Sequence, residues 1–210
     1  MKRKNKKKAY GWSLIGFPLG KKRIRKPLLK DPTEVQALHR AKFGLATSFA
    51  SKIKEAAQIG FTQGSKKKPY TCLNMLTAII LKYAIVGSMV EDVSLYYPTV
   101  AVSSGCRDHV LRPLLRLEPT GTGELEWEIY VPDPQFADSA DQIYLLIYNE
   151  TKDEVIHSGY AGQRSDLKVK FEMVPFEYND ALHCWVFVKS CTNDDVSNSS
   201  YVHNVIIALS

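Results

Sequence analysis

Near Val93 the apolar residues change their spacing, from every third or fourth residue to every second. A chain that carries both periods has to place helices before the change and strands after it. Upstream, Val35, Leu38, Leu45, Phe49, Ile53 and Ala56 recur at helical spacing, while His39, Lys42, Lys52 and Lys54 fall mostly on other faces. This pattern predicts an amphipathic helix closed by Gly60. Its start is expected at Asp31 as N-cap, with Pro32 in the first helical position and Glu34 three residues on from the cap. A second helix is expected from about Tyr70 through Leu73, Leu76, Ile80, Tyr83 and Ile85 to a stopping glycine, Gly87, and the two helices to pack as a hairpin.

Downstream, β-branched and aromatic residues dominate between clusters of turn residues, and strands are expected near 93–103, 113–118, 124–131, 142–149, 154–160, 167–174, 182–190 and 196–207. Asn149-Glu-Thr-Lys-Asp153 and Thr192-Asn-Asp-Asp195 read as short turns between strands. In Gly123-Glu-Leu-Glu-Trp-Glu-Ile-Tyr130, Leu125, Trp127 and Ile129 alternate with three glutamates, which predicts one buried and one acidic face. Seven or eight short strands at such spacing predict a sandwich. The run Leu182-His-Cys-Trp-Val-Phe-Val188, a polar turn, and Val196-Ser-Asn-Ser-Ser-Tyr-Val202 resemble the last hairpin of a fibronectin type III domain, and immunoglobulin-like sandwiches share the pattern. The expected class is α+β: a basic, unstructured arm over 1–30, a two-helix segment over 31–87 and an all-β immunoglobulin or fibronectin type III-like sandwich over 88–210.

Charge divides the chain at the same place. Residues 1–87 hold 20 Lys/Arg against 3 Asp/Glu, and residues 88–210 hold 8 against 19, so a net +6 conceals +17 beside −11. The first thirty residues carry twelve Lys/Arg and no acid, with a short aromatic insert, Tyr10-Gly-Trp-Ser-Leu-Ile-Gly-Phe17, between two basic clusters. Such an arm can neutralise phosphates by counterion release while its aromatics stack on unpaired bases. The expected nucleic-acid-binding residues are Lys2, Arg3, Lys4, Lys6, Lys7, Lys8, Trp12, Lys21, Lys22, Arg23, Arg25, Lys26, Lys66, Lys67 and Lys68.

No catalytic constellation emerges. His39, His109, His157, His183 and His203 have no neighbouring Ser, Cys or carboxylate in a triad-like pattern. Cys72, Cys106, Cys184 and Cys191 form neither a disulfide framework nor a CxxC metal spacing, so a reduced compartment is expected, and a packed core cysteine rather than metal ligands at His183-Cys184 and Cys191. Thr120-Gly-Thr-Gly-Glu124 lacks the helix and lysine of a phosphate loop and reads as a turn. The longest apolar stretch, residues 72–87, contains Asn74 and Lys82 and is short for a membrane span. Gly11, Gly16 and Pro18 break the segment a signal peptide would need, which places the chain in the cytoplasm or packaged in a particle.

Pro32-Thr-Glu34 leads into Arg40-Ala-Lys-Phe43, and Ile59-Gly-Phe61 and Val102-Ser-Ser-Gly105 follow. Further on come Tyr144-Leu-Leu-Ile-Tyr-Asn149, Gly159 to Arg164, and Val196-Ser-Asn-Ser-Ser-Tyr201. On these residues, from about Asp31 to Tyr201, the chain resembles an uncharacterised, mainly Bacteroidota family, domain of unknown function 6266. The resemblance implies helices followed by a sandwich, and no activity or cofactor. The expected function is that of a non-enzymatic assembly or scaffold protein whose basic portion contacts nucleic acid or another polyanion, by analogy with structural proteins of virions or mobile elements. The alternative is a protein- or glycan-binding module; self-association through the opposite charges of the two halves is a third expectation. No cofactor, metal or small-molecule substrate is expected.

Overall fold

The computed structural model describes residues 31–62, 71–128 and 137–208. Helix α1 spans Glu34–Lys52, and its N-cap is Thr33 rather than Asp31. The Gln36 backbone N–H donates to the Thr33 hydroxyl and the Thr33 N–H donates to the Gln36 side chain, each at 3.3 Å. This reciprocal box satisfies two otherwise orphaned donors, and it puts Glu34 in the first helical position instead of the third. Ile53, with ψ +20°, interrupts the expected single helix, and α2 runs over Lys54–Gly60. Helix α3, Cys72–Tyr83, is capped by the Thr71 hydroxyl, which accepts from the Asn74 N–H.

Helix α3 stops four residues before Gly87. Gly87 instead takes φ +105° inside a small antiparallel hairpin of β1 (Ile85–Val86) and β2 (Ser94–Leu95). The strand expected over 93–103 is therefore two residues long. It gives way to a tight turn over Tyr97–Thr99, where Pro98 has no N–H to offer a ladder. Val35 and Tyr83, placed by their periodicity on the apolar stripes, are 65% and 57% exposed.

The other strands are β3 (Leu111–Glu118), β4 (Thr122–Glu128), β5 (Gln142–Asn149), β6 (Glu154–Gln163), β7 (Lys168–Glu172), β8 (Leu182–Lys189), β9 (Ser200–Tyr201) and β10 (Asn204–Ile207). They form two four-stranded sheets, in the orders β10-β3-β4-β7 and β6-β5-β8-β9. All pairs are antiparallel except β10 with β3. The single strand expected over 196–207 is divided because the chain leaves β8 after Tyr201 and joins the opposite sheet at Asn204. The three expected turns are present: Gly121 (φ +103°) between β3 and β4, Asp153 (φ +57°) between β5 and β6, and the loop after β8, where the Ser190 N–H donates to Asp195.

The two sheets share one core, in which Leu115, Leu117, Leu125 and Trp127 meet Ile143, Leu145, Ile147, Cys184, Val186 and Val188. Alternation sends the intervening residues of β5 and β8 the other way. Leu146, Tyr148, Trp185 and Phe187 join Ala46, Phe49, Ala50, Ile53, Leu76 and Ile80 in a second core beneath the helices. The order of layers is thus helices, sheet, sheet, and the middle sheet is covered on both faces. Gly60 is held where the helices meet the loop after β2, since a Cβ there would lie 2.2 Å from the Val102 carbonyl oxygen. Residues Thr33–Ser210 form one compact unit.

Candidate nucleic-acid interface

All fifteen residues expected to contact nucleic acid lie outside the described residues: the arm cations between Lys2 and Lys26, Trp12, and Lys66, Lys67 and Lys68. What is described is the charge on the compact unit that follows the arm, and it is distributed unevenly. On the helices, Arg40, Lys42 and Lys54 have no ion pair among the described residues, and Lys82 lies over the Tyr83 ring at 4.8 Å without a carboxylate partner. Only Lys52 is paired, with Asp153 in the β5–β6 turn, and Asp153 also accepts from the Tyr148 hydroxyl. These two bonds, Lys52 first, hold the Asp153 carboxyl below the usual carboxylate range.

The strands behave in the opposite way. Arg112 reaches Glu128 at 3.2 Å, Arg116 reaches Glu126 at 2.7 Å and Glu124 at 3.3 Å, and Lys168 reaches Glu124 at 2.7 Å. The three glutamates that alternate with Leu125 and Trp127 are therefore engaged by cations on the adjacent strands β3 and β7. The hydrogen bond from Lys168, ahead of the charge on Arg116, lowers the Glu124 pKa. A cross-strand ladder of this kind ties Glu124, Glu126 and Glu128 to the cations beside them.

Two further polar clusters were not legible from spacing. Asp141, fully buried, accepts from Arg107 at 2.5 Å and from the backbone N–H groups of Asp138 (2.9 Å) and Cys191 (3.3 Å), and faces Arg164 at 3.7 Å. Arg164 in turn donates to the carbonyls of Asp108 and His109, and its own carbonyl accepts from the Trp127 indole. The cluster joins loops at one end of the two sheets. The Cys184 thiol faces the inter-sheet core, where burial pushes its pKa up and keeps it protonated.

The second cluster surrounds His183. Its Nδ1 is 2.9 Å from the Tyr201 hydroxyl and its Nε2 is 3.0 Å from Glu150, and Tyr97 stacks on the ring at 3.7 Å. A histidine between a hydroxyl and a carboxylate is the arrangement that activates a nucleophile, but these phenols are the reverse of activated. Burial raises the Tyr201 pKa, and burial followed by the Glu150 charge raises Tyr97 to about 12. The cluster ties the start of β8 to β9, to the β5–β6 turn and to the turn that follows β2. Hollows of about 510, 320 and 410 Å³ lie elsewhere, and none is lined by His183, Tyr201 or Glu150. Among the described residues no three His, Cys, Asp or Glu side chains could hold a metal ion, and no helix is long and apolar enough to cross a membrane.

A family model described as a family of unknown function (DUF6266) matches residues 11–203. The chain belongs to this family. The match extends upstream of the first helix to Gly11 and downstream through β9, so the family's pattern spans both cores and the aromatic part of the arm. No curated protein and no solved structure matches the chain.

Proposed function

We propose that the chain is a non-enzymatic assembly or scaffold protein whose basic N-terminal portion contacts nucleic acid or another polyanion. One observation carries this reading: among the described residues the helix cations Arg40, Lys42, Lys54 and Lys82 have no carboxylate partner, whereas six of the eight in the strand region are paired. A protein that neutralises its cations on one side and leaves them unpaired on the other favours a negatively charged partner on the second. The sequence adds the arm's twelve cations to the same side of the count. A basic arm ahead of a two-sheet domain is the plan of many small capsid proteins, and a structural role in a virion or mobile element follows by that analogy alone.

The strand orders β3-β4-β7 and β6-β5-β8-β9 support reading the two-sheet part as immunoglobulin or fibronectin type III-like. Numbered from β3 as strand A, they correspond to A-B-E facing C′-C-F-G, with Trp127 on the second strand packed inward.

The test compares the full chain with a variant lacking residues 1–30 in a binding titration against duplex and single-stranded DNA and RNA at several salt concentrations. The full chain is expected to bind, with the logarithm of affinity falling against the logarithm of salt by about 0.9 per phosphate contacted on duplex DNA. Removing the arm should flatten that slope. Absence of binding at low salt, or an unchanged slope after the deletion, would refute the proposal.

A further inference from the structure

Five of the eleven large apolar side chains that are exposed among the described residues fall within fourteen positions: Tyr83, Val86, Met89, Val90 and Tyr96. They are carried by the β1–β2 hairpin and its two flanks, and the loop that presents them is firmly built. Gly87 turns the chain with φ +105°, and the Asp92 carboxylate accepts from the Met89 N–H at 2.7 Å. That bond, with a second from the Ser88 backbone, holds the Asp92 carboxyl ionised below its usual range. At the base of the hairpin the Tyr96 N–H donates to the Ala84 carbonyl and the Thr99 hydroxyl to that of Tyr83. Ile85 and Leu95 point inward and pack on the helical core.

Met89 and Val90, 61% and 42% exposed, thus stand on an ordered loop rather than on a loose one. Apolar side chains gathered on an ordered loop mark an interaction surface. The hairpin pairs with neither four-stranded sheet, so its two strands are edge strands.

We infer that this hairpin is a self-association surface on which two copies of the chain pack face to face about a two-fold axis. The charges on its rim choose the occupant. Lys82 lies at the base and Glu91 near the tip, both exposed and neither in an ion pair among the described residues. A two-fold axis that sets base against tip brings Lys82 of each copy to the partner's Glu91, twice, around a shared apolar centre. An isologous contact requires this self-complementarity. The surface is built from residues outside 1–30 and shares only Lys82 with the cations that carry the polyanion reading, so the inference stands whether or not the arm holds a polyanion.

Sedimentation velocity on the full chain over a concentration series, at low and at high salt, tests it. A dimer that persists in high salt is expected, because its centre is apolar; attraction between the basic and acidic halves would dissolve there. Replacing Met89→Asp together with Val90→Asp should weaken dimerisation at least about tenfold, with an unchanged circular dichroism spectrum showing that the fold is kept. Lys82→Glu should weaken it severalfold, and adding Glu91→Lys should restore it. A chain that stays monomeric at every concentration, a dimer that dissolves in high salt, a dimer indifferent to the Met89 and Val90 changes, or a double charge exchange that fails to restore association would each overturn the inference.

Discussion

Asp141 offers the sharpest test of how the two sheets are held together. Its carboxylate is fully buried and answers Arg107, Arg164 and two backbone N–H groups, and the two arginine side chains are about one-tenth exposed. Asp141→Ala removes the carboxylate that answers both guanidinium groups and orphans both N–H donors. Two unsatisfied buried donors cost about 1 kcal/mol each at the low end, and uncompensated buried charge brings the loss for breaking such a pair to about 3–5 kcal/mol. Burial already pulls the Arg164 pKa down, with Asp141 the largest influence opposing it, so losing Asp141 leaves the cation more poorly compensated. In a urea titration with a slope of about 2 kcal/mol/M, the midpoint should fall by about 1.5–2.5 M at constant slope. Replacing Arg107, Asp141 and Arg164 together with Met, Leu and Met should cost less than Asp141→Ala alone, since no charge is left stranded. A loss below about 1 kcal/mol for the single change, or a larger loss for the triple, would refute the argument.

Two further outcomes are expected. Thr33→Ala should lower stability in the same titration by about 1 kcal/mol and Asp31→Ala by a few tenths at most, because the capping box belongs to Thr33 and Gln36. His157, packed on Phe171, has its pKa lowered by burial. The folded state therefore binds fewer protons than the unfolded one, and stability should be full above about pH 6.5 and decline as pH falls from there toward the folded-state pKa. Melting temperatures across that window should show the decline in the wild type and a shallower one in His157→Gln.

How far the sequence disclosed this arrangement depended on whether a signal was local. The amphipathic helices, the three turns and the strands β4, β5 and β8 were legible because period and turn chemistry act over a few residues. At the start of α1, Asp31-Pro-Thr-Glu34 permits two caps, and the choice fell to Gln36, which is in position to reach back to Thr33 and not to Asp31. The unbroken apolar runs Ile143-Tyr-Leu-Leu-Ile-Tyr148 and Cys184-Trp-Val-Phe-Val188 are what strands covered on both faces require. Which layer covers which face is a matter of tertiary packing. The change of sheet between Tyr201 and Asn204, the Asp141 cluster and the bonding of His183 to Glu150 join residues far apart in the chain, and no spacing rule encodes them. Exposure of Met89 and Val90 was equally hidden, since an apolar residue in sequence gives no sign of whether a neighbour will cover it.

The covering of the middle sheet by helices has a consequence for the order in which the molecule is made. Phe49 on α1 is synthesised early, yet the rings it packs against, Tyr148 and Trp185, lie about a hundred residues or more downstream. Contacts between such distant positions make loop closure costly and folding slow. On the ribosome, the apolar faces of α1 and α3 have no sheet to rest on until β5 and then β8 have emerged. During that interval those faces are exposed apolar surface, the condition under which a nascent chain is most open to association with others of its kind.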